Sequence, residues 1–345
     1  MKRILALLVI IVLMNSCQKE YQPRTIESIF IQGYALDSIS IRAIIAIDTN
    51  EVWYAGSKGA YGYLINKEKV TTGYKKYNDS IIPHFRSIAS NGLNTYALSI
   101  GNPALLYKLN GNDSKIVYKE EHEKVFYDSM KFFDEENGIA MGDPTEDCLS
   151  IIRTNDGGNT WTKIPCNKLP KVIEGEAAFA ASNTNIKVSG KTAWVVTGGV
   201  KARVFKTTDL GETWEVFDTP MIQGDGPQGI YSVDFSDENN GIIFGGDYSK
   251  PEENKANKAI TTDGGKTWTL IADGQEPNYK SCVQYVPGTN GKEVFAVGKT
   301  GISYSNDAGV TWKKVSEEGY YVIDFVDKNT AWLAGNEKIG KLVLN

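Results

Sequence analysis

The hydrophobic positions of this chain fall into many short runs separated by polar turns, a pattern typical of β-strands. Seven apolar runs end in glycine, and each follows another strand candidate, such as residues 230–235 before the fifth run. Strands that are covered on both faces read as continuous apolar runs of this kind. The seven runs are residues 52–56, 96–101, 139–142, 194–198, 242–245, 295–298 and 332–335.

A second repeat has the form Ser/Thr-x-Asp-x-Gly-x-Thr-Trp, with its aspartates spaced 53, 54 and 44 residues apart. In a tight hairpin the carboxylate can accept backbone N–H bonds across the turn, and glycine tolerates a positive φ. The tryptophan can pack its large apolar face against neighbouring strands. We therefore interpret these residues as structural: Asp156, Trp161, Asp209, Trp214, Asp263, Trp268, Asp307 and Trp312.

The eight-residue pattern resembles the Asp-box, also called the bacterial neuraminidase repeat. With the glycine-ended strands, it makes residues 25–345 resemble the photosystem II stability/assembly factor-like β-propellers. The resemblance implies that the hairpins join the third and fourth strands of a blade, away from the ligand-binding face. It also implies a scaffold that binds protein without catalysis. No specific partner carries over, because nothing in this sequence indicates photosynthesis.

The two repeats predict an all-β, seven-bladed β-propeller built from four-stranded antiparallel blades. After the last glycine-ended run only one further strand follows, over residues 339–344. The missing strand of the last blade is predicted at residues 25–31, which are apolar and rich in β-formers. Pairing of the two ends would close the ring and remove exposed sheet edges.

The N-terminus reads as an export signal, with Lys2 and Arg3 before an apolar run over residues 4–14. That run is too short to span a hydrocarbon core of ~30 Å. Cys17 follows it in an arrangement that resembles the lipobox of bacterial lipoproteins, although Met14 and Asn15 depart from the strictest motif. An ordinary secretory signal is the alternative. The predicted domains are a signal peptide (1–16), a flexible tether from lipidated Cys17 (17–24) and the propeller (25–345), in a bacterial envelope protein facing the periplasm or the outer surface.

The cysteine, histidine and charge content limits the disulfides, metal sites and partners that the chain can have. Cys148 and Cys166 are equally distant from the centre of the first Asp hairpin, so a disulfide between them is an option that an irregular turn would remove. The chain has 2 histidines, His84 and His122, and they are isolated, so no metal site and no cofactor are predicted. A net charge of −5 disfavours nucleic acid as a partner. A monomer is expected.

Ligands of a propeller meet the loops that join the second and third strands and those between blades. These loops contain polar and aromatic residues that form a candidate ligand face, although a solvated rim of charged loops is the simpler interpretation. The candidate residues are Arg86, Asp143, Glu174, Glu176, Arg203, Tyr231, Asp247 and Tyr248.

Two functions follow from this face. The first is a lipid-anchored scaffold that binds a protein or a glycan. The alternative is a secreted glycan-active hydrolase; its sialidase-like form needs three arginines, here Arg42, Arg86 and Arg203, to converge beside a Tyr–Glu pair. A different carboxylate pair could serve another glycosidase.

Overall fold

The computed structural model of the protein describes residues 21–66, 69–78, 80–110 and 113–344. The predicted signal peptide and Cys17 lie outside these residues, and the predicted tether lies within them only from Tyr21 onward. β-Strands dominate the described residues, and a short 3-10 helix spans Cys166–Lys168. Within the described ranges, no helix has the length and hydrophobicity needed to cross a bilayer.

The strands are numbered in chain order. The first fourteen are β1 (Ile31–Ala46), β2 (Glu51–Gly56), β3 (Ala60–Ile65), β4 (Lys69–Tyr74), β5 (His84–Ser90), β6 (Thr95–Ile100), β7 (Ala104–Leu109), β8 (Lys115–Glu120), β9 (Tyr127–Phe132), β10 (Gly138–Gly142), β11 (Ser150–Thr154), β12 (Thr162–Lys163), β13 (Glu176–Ala177) and β14 (Ile186–Ser189). The others are β15 (Thr192–Val196), β16 (Gly198–Gly199), β17 (Arg203–Thr207), β18 (Glu215–Asp218), β19 (Gln228–Phe235), β20 (Gly241–Asp247), β21 (Lys258–Thr261), β22 (Thr269–Leu270), β23 (Cys282–Tyr285), β24 (Val294–Gly298), β25 (Gly301–Ser305), β26 (Lys313–Ser316), β27 (Val322–Phe325) and β28 (Thr330–Val343).

These strands form antiparallel sheets arranged as a β-propeller. In the described residues the strand orders are β27-β28-β1-β2-β3-β4 (the closing sheet), β5-β6-β7-β8, β12-β11-β10-β9, β14-β15-β17-β18, β13-β16-β19-β20-β21-β22 and β23-β24-β25-β26. Apolar side chains fill the space between neighbouring sheets, and the fully buried Trp194 and Trp332 are the largest of them. Burial of this apolar surface is the main favourable term in folding.

The prediction of seven four-stranded blades is wrong. The described residues form six hydrogen-bonded sheets, two of which have six strands. The reason is the length of β1, which pairs with β28 through residues 31–40 and with β2 through residues 41–46. One continuous strand, β1, therefore joins the predicted first and last blades into a single sheet.

The two ends of the chain meet in the closing sheet, as the sequence predicts. Ile31 lies opposite Leu342, and Ala35 lies opposite Lys338. The predicted strand over residues 25–31 was placed too early, because only Ile31 of that range is in a strand. The partner strand supplies the reason: β28 ends at Val343, so it offers almost no backbone before Ile31.

Side chains also connect the inner strands of adjacent sheets around the axis. The Tyr285 N–H donates to Asp234 Oδ2 (2.7 Å), and the Phe325 N–H donates to Gln284 Oε1 (2.9 Å). Within the closing sheet, the Ala46 N–H of β1 makes a similar bond to Asp324 Oδ2 of β27 (2.8 Å). The strands β19, β23 and β27 lie in different sheets and are not paired with one another, so the bonds to Asp234 and Gln284 hold them at a fixed offset along the propeller axis.

Four hairpins, residues 154–161, 207–214, 261–268 and 305–312, share one hydrogen-bond arrangement and are called the Asp hairpins. In the third, Asp263 accepts bonds from the Thr267 N–H (2.9 Å) and hydroxyl (2.6 Å), and from the Thr261 hydroxyl (2.8 Å). Gly265 has φ +88°, and a Cβ there would lie 3.0 Å from the Trp194 ring, so glycine satisfies both requirements. The Asp hairpins join β11 to β12, β17 to β18, β21 to β22, and β25 to β26.

Cys148 and Cys166 form a disulfide with a Cα–Cα distance of 5.5 Å. Cys148 precedes β11, and Cys166 begins the 3-10 helix that follows β12. The bond thus ties the connection after the first Asp hairpin back to its own sheet. Cys282 is buried and free.

We predict that the double variant Cys148→Ser/Cys166→Ser is less stable than the wild type by about 3 kcal/mol, the loss expected for opening a loop of this length. Urea unfolding under oxidising conditions measures the difference. Added reductant should lower the stability of the wild type and leave the double variant unchanged. Equal stability of the two oxidised proteins would contradict the prediction.

We predict that Asp263→Ala lowers the free energy of unfolding at pH 7 by about 1–2 kcal/mol, because it removes the acceptor of several N–H and O–H bonds. Desolvation opposes ionisation here, yet bonds from Thr267, Thr261 and Lys266 lower the pKa of Asp263 to about 2. A depressed pKa stabilises the fold above the ordinary value of 3.8, and this contribution is lost as the pH falls through about 2. Urea unfolding at pH 7 and at pH 2 should therefore show a smaller difference at pH 2.

The matched control is Glu123→Ala, at an exposed acidic residue outside the Asp hairpins. It should leave the unfolding midpoint unchanged at both pH values. A loss equal to that of Asp263→Ala would show that the hairpin bonds contribute nothing specific.

Candidate functional site: the axial cavity

A cavity of about 490 Å³ opens at one end of the propeller axis. It lies at the end of the inner strands where β1, β5 and β19 supply Arg42, Arg86 and Tyr231. The Asp hairpins lie at the opposite end of the strands, so the two features occupy opposite faces. The lining residues are Arg42, Arg86, Phe126, Asp143, Ala178, Phe179, Ala180, Ala181, Tyr231, Tyr248, Tyr279, Ser281, Lys299 and Tyr321.

The floor of the cavity is an irregular stretch, residues 178–185, called the axial segment. It connects β13 to β14 and runs into the channel between the sheets. Asn183 holds it in place: its Nδ2 donates to Ile88 O (2.8 Å), and its Oδ1 accepts the Met130 N–H (3.1 Å). A second cavity of about 200 Å³ lies beyond it, lined by Ser182, Asn183 and Thr184 among others. The segment thus separates the axis into two compartments.

Two guanidinium groups point into the cavity and are held by the axial segment. Arg86 Nη1 donates to Ala180 O (3.2 Å), and Arg42 Nη1 donates to Ala181 O (3.3 Å). The ring of Tyr321 lies 4.0 Å from the Arg42 guanidinium carbon, a cation–π contact. Among the described residues, neither arginine forms an ion pair with a carboxylate. Arg42 Nε is buried without a hydrogen-bond partner in the structure.

The electrostatics show that positive charge is concentrated here. Burial, followed by the nearby charge of Arg42, lowers the pKa of Arg86 to about 10. A buried charge normally acquires a partner, because an unpaired one carries a large desolvation cost. The cavity is therefore suited to an anionic group.

Two carboxyl groups accompany the arginines. Asp143 lines the cavity and accepts the Ala178 N–H (2.8 Å); burial raises its pKa to about 6. Asp128 is fully buried, and both its oxygens lack hydrogen-bond partners. Burial, followed by the charge of Asp143, raises the pKa of Asp128 well above its usual range, so the site favours the neutral form of this carboxyl group.

One wall of the cavity is aromatic. Phe179 stacks on Tyr231 with ring centroids 3.9 Å apart and an interplanar angle of 5°. Tyr279 meets Tyr231 edge-on at 4.9 Å, and Tyr248, half exposed at the mouth, is 6.4 Å from Tyr231. This wall offers apolar surface directly beside the two guanidinium groups.

The structure distributes the candidate ligand-face residues over several environments. Arg86, Asp143, Tyr231 and Tyr248 all line the axial cavity. Arg203 instead forms an ion pair with the buried Glu176 (2.5 Å). Its Nη2 also donates a hydrogen bond to Lys171 O (2.9 Å). Asp247 accepts the Ser249 N–H (2.9 Å) and so orders its own loop, and Glu174 is exposed outside the cavity.

The requirement for three converging arginines is therefore not met. Arg42 and Arg86 share the cavity, but Arg203 is bound to Glu176 elsewhere. No glutamate is among the described residues that line the cavity. The described residues also contain no cluster of three or more His, Cys, Asp or Glu side chains arranged to hold a metal ion.

Sequence reasoning missed several residues of the site. Phe179 and the carbonyls of Ala180 and Ala181 reach the axis only because the axial segment leaves its sheet, and no local pattern marks that departure. Asp128 lies within β9 in an apolar setting, where a lone acidic residue between Tyr127 and Met130 was the available signal.

Comparison with known structures agrees with the architecture. The structure described as YCF48 bound to D1 peptide has a TM-score of 0.66 at 14% identity, covering 93% of this chain and 100% of the other. YCF48 from Cyanidioschyzon merolae has a TM-score of 0.62 at 13% identity, and the match covers 91% of this chain and 98% of the other. The structure of the RRP9 WD40 repeats has a TM-score of 0.64 at 11% identity, and the match covers 94% of this chain and 100% of the other.

The chain is a β-propeller. At these identities the likeness establishes the fold alone. Residues 149–300 are also similar to the family described as Sortilin, neurotensin receptor 3. No curated protein matches the sequence.

We predict that Asp143→Asn reduces the pH dependence of stability between about pH 4 and pH 6. The raised pKa means that the folded protein binds a proton that the unfolded chain has already released in this range. Wild-type stability therefore falls as the pH rises from 4 to 6, and the variant, which cannot ionise, lacks this component. Thermal or urea unfolding across the range measures the slope, and identical slopes would contradict the prediction.

Proposed function

We propose that the protein is a binding or assembly scaffold whose axial cavity recognises a carboxylate of a polypeptide partner. The observation that carries this proposal is the pair Arg42 and Arg86, both held toward the cavity by neutral carbonyls and neither neutralised by an ion pair among the described residues. A planar guanidinium can present two parallel N–H donors to a carboxylate. Each arginine uses Nη1 for the axial segment, which leaves other donors for a ligand.

The aromatic wall supports a polypeptide over a small inorganic anion. Tyr231, Tyr248 and Phe179 provide a surface on which an apolar or aromatic side chain adjacent to the carboxylate can pack. Binding sites combine a few placed polar groups with such surface. One of the similar structures is described as bound to a peptide, which agrees with peptide recognition by this fold.

We further propose that the protein belongs to the Asp-box, photosystem II assembly factor-like propellers and is attached to a bacterial envelope membrane through a lipid on Cys17. The repeated Asp hairpins and the lipobox-like arrangement before Cys17 support this. Sialidase-like hydrolysis is not proposed, because Arg203 lies outside the cavity that holds the other two arginines. A glycosidase that uses a carboxylate pair is not proposed either, because Asp143 is the one carboxylate among the described residues that line the cavity.

We predict that Arg42→Gln and Arg86→Gln each weaken carboxylate recognition by about 10- to 100-fold, the loss expected for one charged hydrogen bond of ~1.5–3 kcal/mol. The probe is a randomised short-peptide library with free C-terminal carboxylates, with an amidated copy of each selected peptide for comparison. Isothermal titration of the selected peptides against each variant measures the affinity.

Arg153→Gln is the matched control, because Arg153 pairs with Glu212 near the Asp hairpins and lies outside the cavity. It should bind the peptides as the wild type does. The proposal fails if no free-acid peptide is selected over its amide, or if all three variants bind equally.

A further inference from the structure

The residues just before the propeller are clamped to it at one defined point. Tyr21 donates its hydroxyl to Glu293 Oε1, and Arg24 donates its N–H to the same oxygen (2.8 Å). Arg24 Nη2 donates to Glu293 Oε2 (2.5 Å). The Glu293 side chain has an exposed fraction of 0%, so the clamp closes over a buried carboxylate. A buried ion pair is costly to open, because opening leaves an unpaired charge.

The clamp lies on the face that carries the Asp hairpins. Glu293 ends the turn between β23 and β24, and Arg24 Nη1 donates to Asn329 Oδ1 (3.3 Å) in the turn between β27 and β28. Arg24 O accepts a bond from Asn306 Nδ2 (3.1 Å), which belongs to the fourth Asp hairpin. Three separate elements of that face thus hold the same residue.

The axial cavity opens on the other face. Its mouth is formed by Tyr248 and Lys299, and Lys299 Nζ donates to Tyr248 O (2.8 Å). Strands of about six residues separate the two faces, which corresponds to ~20 Å at a rise of ~3.3 Å per residue. The clamp and the cavity mouth are therefore at least a strand length apart.

The length of chain before the clamp is short. Three residues lie between Cys17 and Tyr21, and a fully extended chain over these four steps reaches ~14 Å. A lipid on Cys17 therefore cannot lie near the cavity mouth while Tyr21 is held by Glu293.

We propose that the Asp-hairpin face is the surface that the protein turns toward the lipid bilayer, and that the axial cavity opens away from the membrane. This inference rests on the proposed lipidation of Cys17. It deepens the proposed function, because a partner would then reach the cavity from the aqueous side. The partner is therefore a soluble polypeptide or a segment that extends well clear of the bilayer.

The test uses the full-length lipidated protein in vesicles that contain an anionic lipid and a lipid bearing a headgroup acceptor dye. A donor dye is placed on one introduced cysteine, either Lys266→Cys in the third Asp hairpin or Lys255→Cys in the loop at the cavity face. Both positions are exposed lysines, so the charge change is matched. The native Cys148–Cys166 pair is bonded and Cys282 is buried, which leaves the new thiol as the reactive one among the described residues.

We expect greater energy transfer from position 266 than from position 255. Insertion of a flexible Gly-Ser segment of about twenty residues between positions 20 and 21 should abolish the difference while the protein stays on the vesicles, because its mean span of ~25 Å exceeds the thickness of the propeller. Equal or reversed transfer in the protein without the insertion would overturn the proposal. So would failure to associate with vesicles, which would remove the lipid anchor. Peptide binding is measured separately in detergent. Retained binding there would show that the cavity is a ligand site even if the membrane orientation or the lipid anchor is wrong.

Discussion

The pairing of β1 with β28 is the contact on which the rest of the structure depends. It joins residues near the two ends of the described chain and so closes the ring of sheets around the axis. Because β1 continues into pairing with β2, one strand carries both the ring closure and Arg42. Loss of the closure would therefore displace Arg42 relative to Arg86, which lies in the separate sheet of β5. Folding and site formation are coupled through a single strand.

The axial segment fills the channel that the ring of sheets leaves along its axis. Inner strands that surround an axis leave a channel, and here residues 178–185 fill it as they pass from the sheet of β13 to the sheet of β14. The segment brings backbone carbonyls to the axis, where they accept bonds from Arg42 and Arg86. A carbonyl orients a guanidinium without neutralising it, whereas a carboxylate would have removed the charge. The packing solution thus keeps the cavity positively charged.

Much of the architecture was predictable because its signals are local. Each Asp hairpin is specified within eight residues, and Asp263 makes its bonds to Thr261, Lys266 and Thr267 inside that window. The number of sheets was not predictable, because it depends on β1 continuing through Ser38, whose φ of +64° and polar surroundings are typical of a turn. The site was found only in part for a related reason. Arg86 and Tyr231 lie near strand starts, but Phe179 reaches the axis through a non-local departure of the chain.

The charge balance of the cavity sets the kind of ligand that it can hold. Near neutral pH the two guanidinium groups share the cavity with one ionised carboxylate, Asp143, whose pKa is about 6, while burial favours the neutral form of Asp128. One positive charge of the arginine pair is left over, Lys299 adds another at the mouth, and a ligand carboxylate would offset this excess. Protonation of Asp143 below pH 6 would increase this positive excess by one charge, so anion binding should strengthen in mild acid. The buried carboxyl pair therefore tunes the arginines and does not simply oppose them.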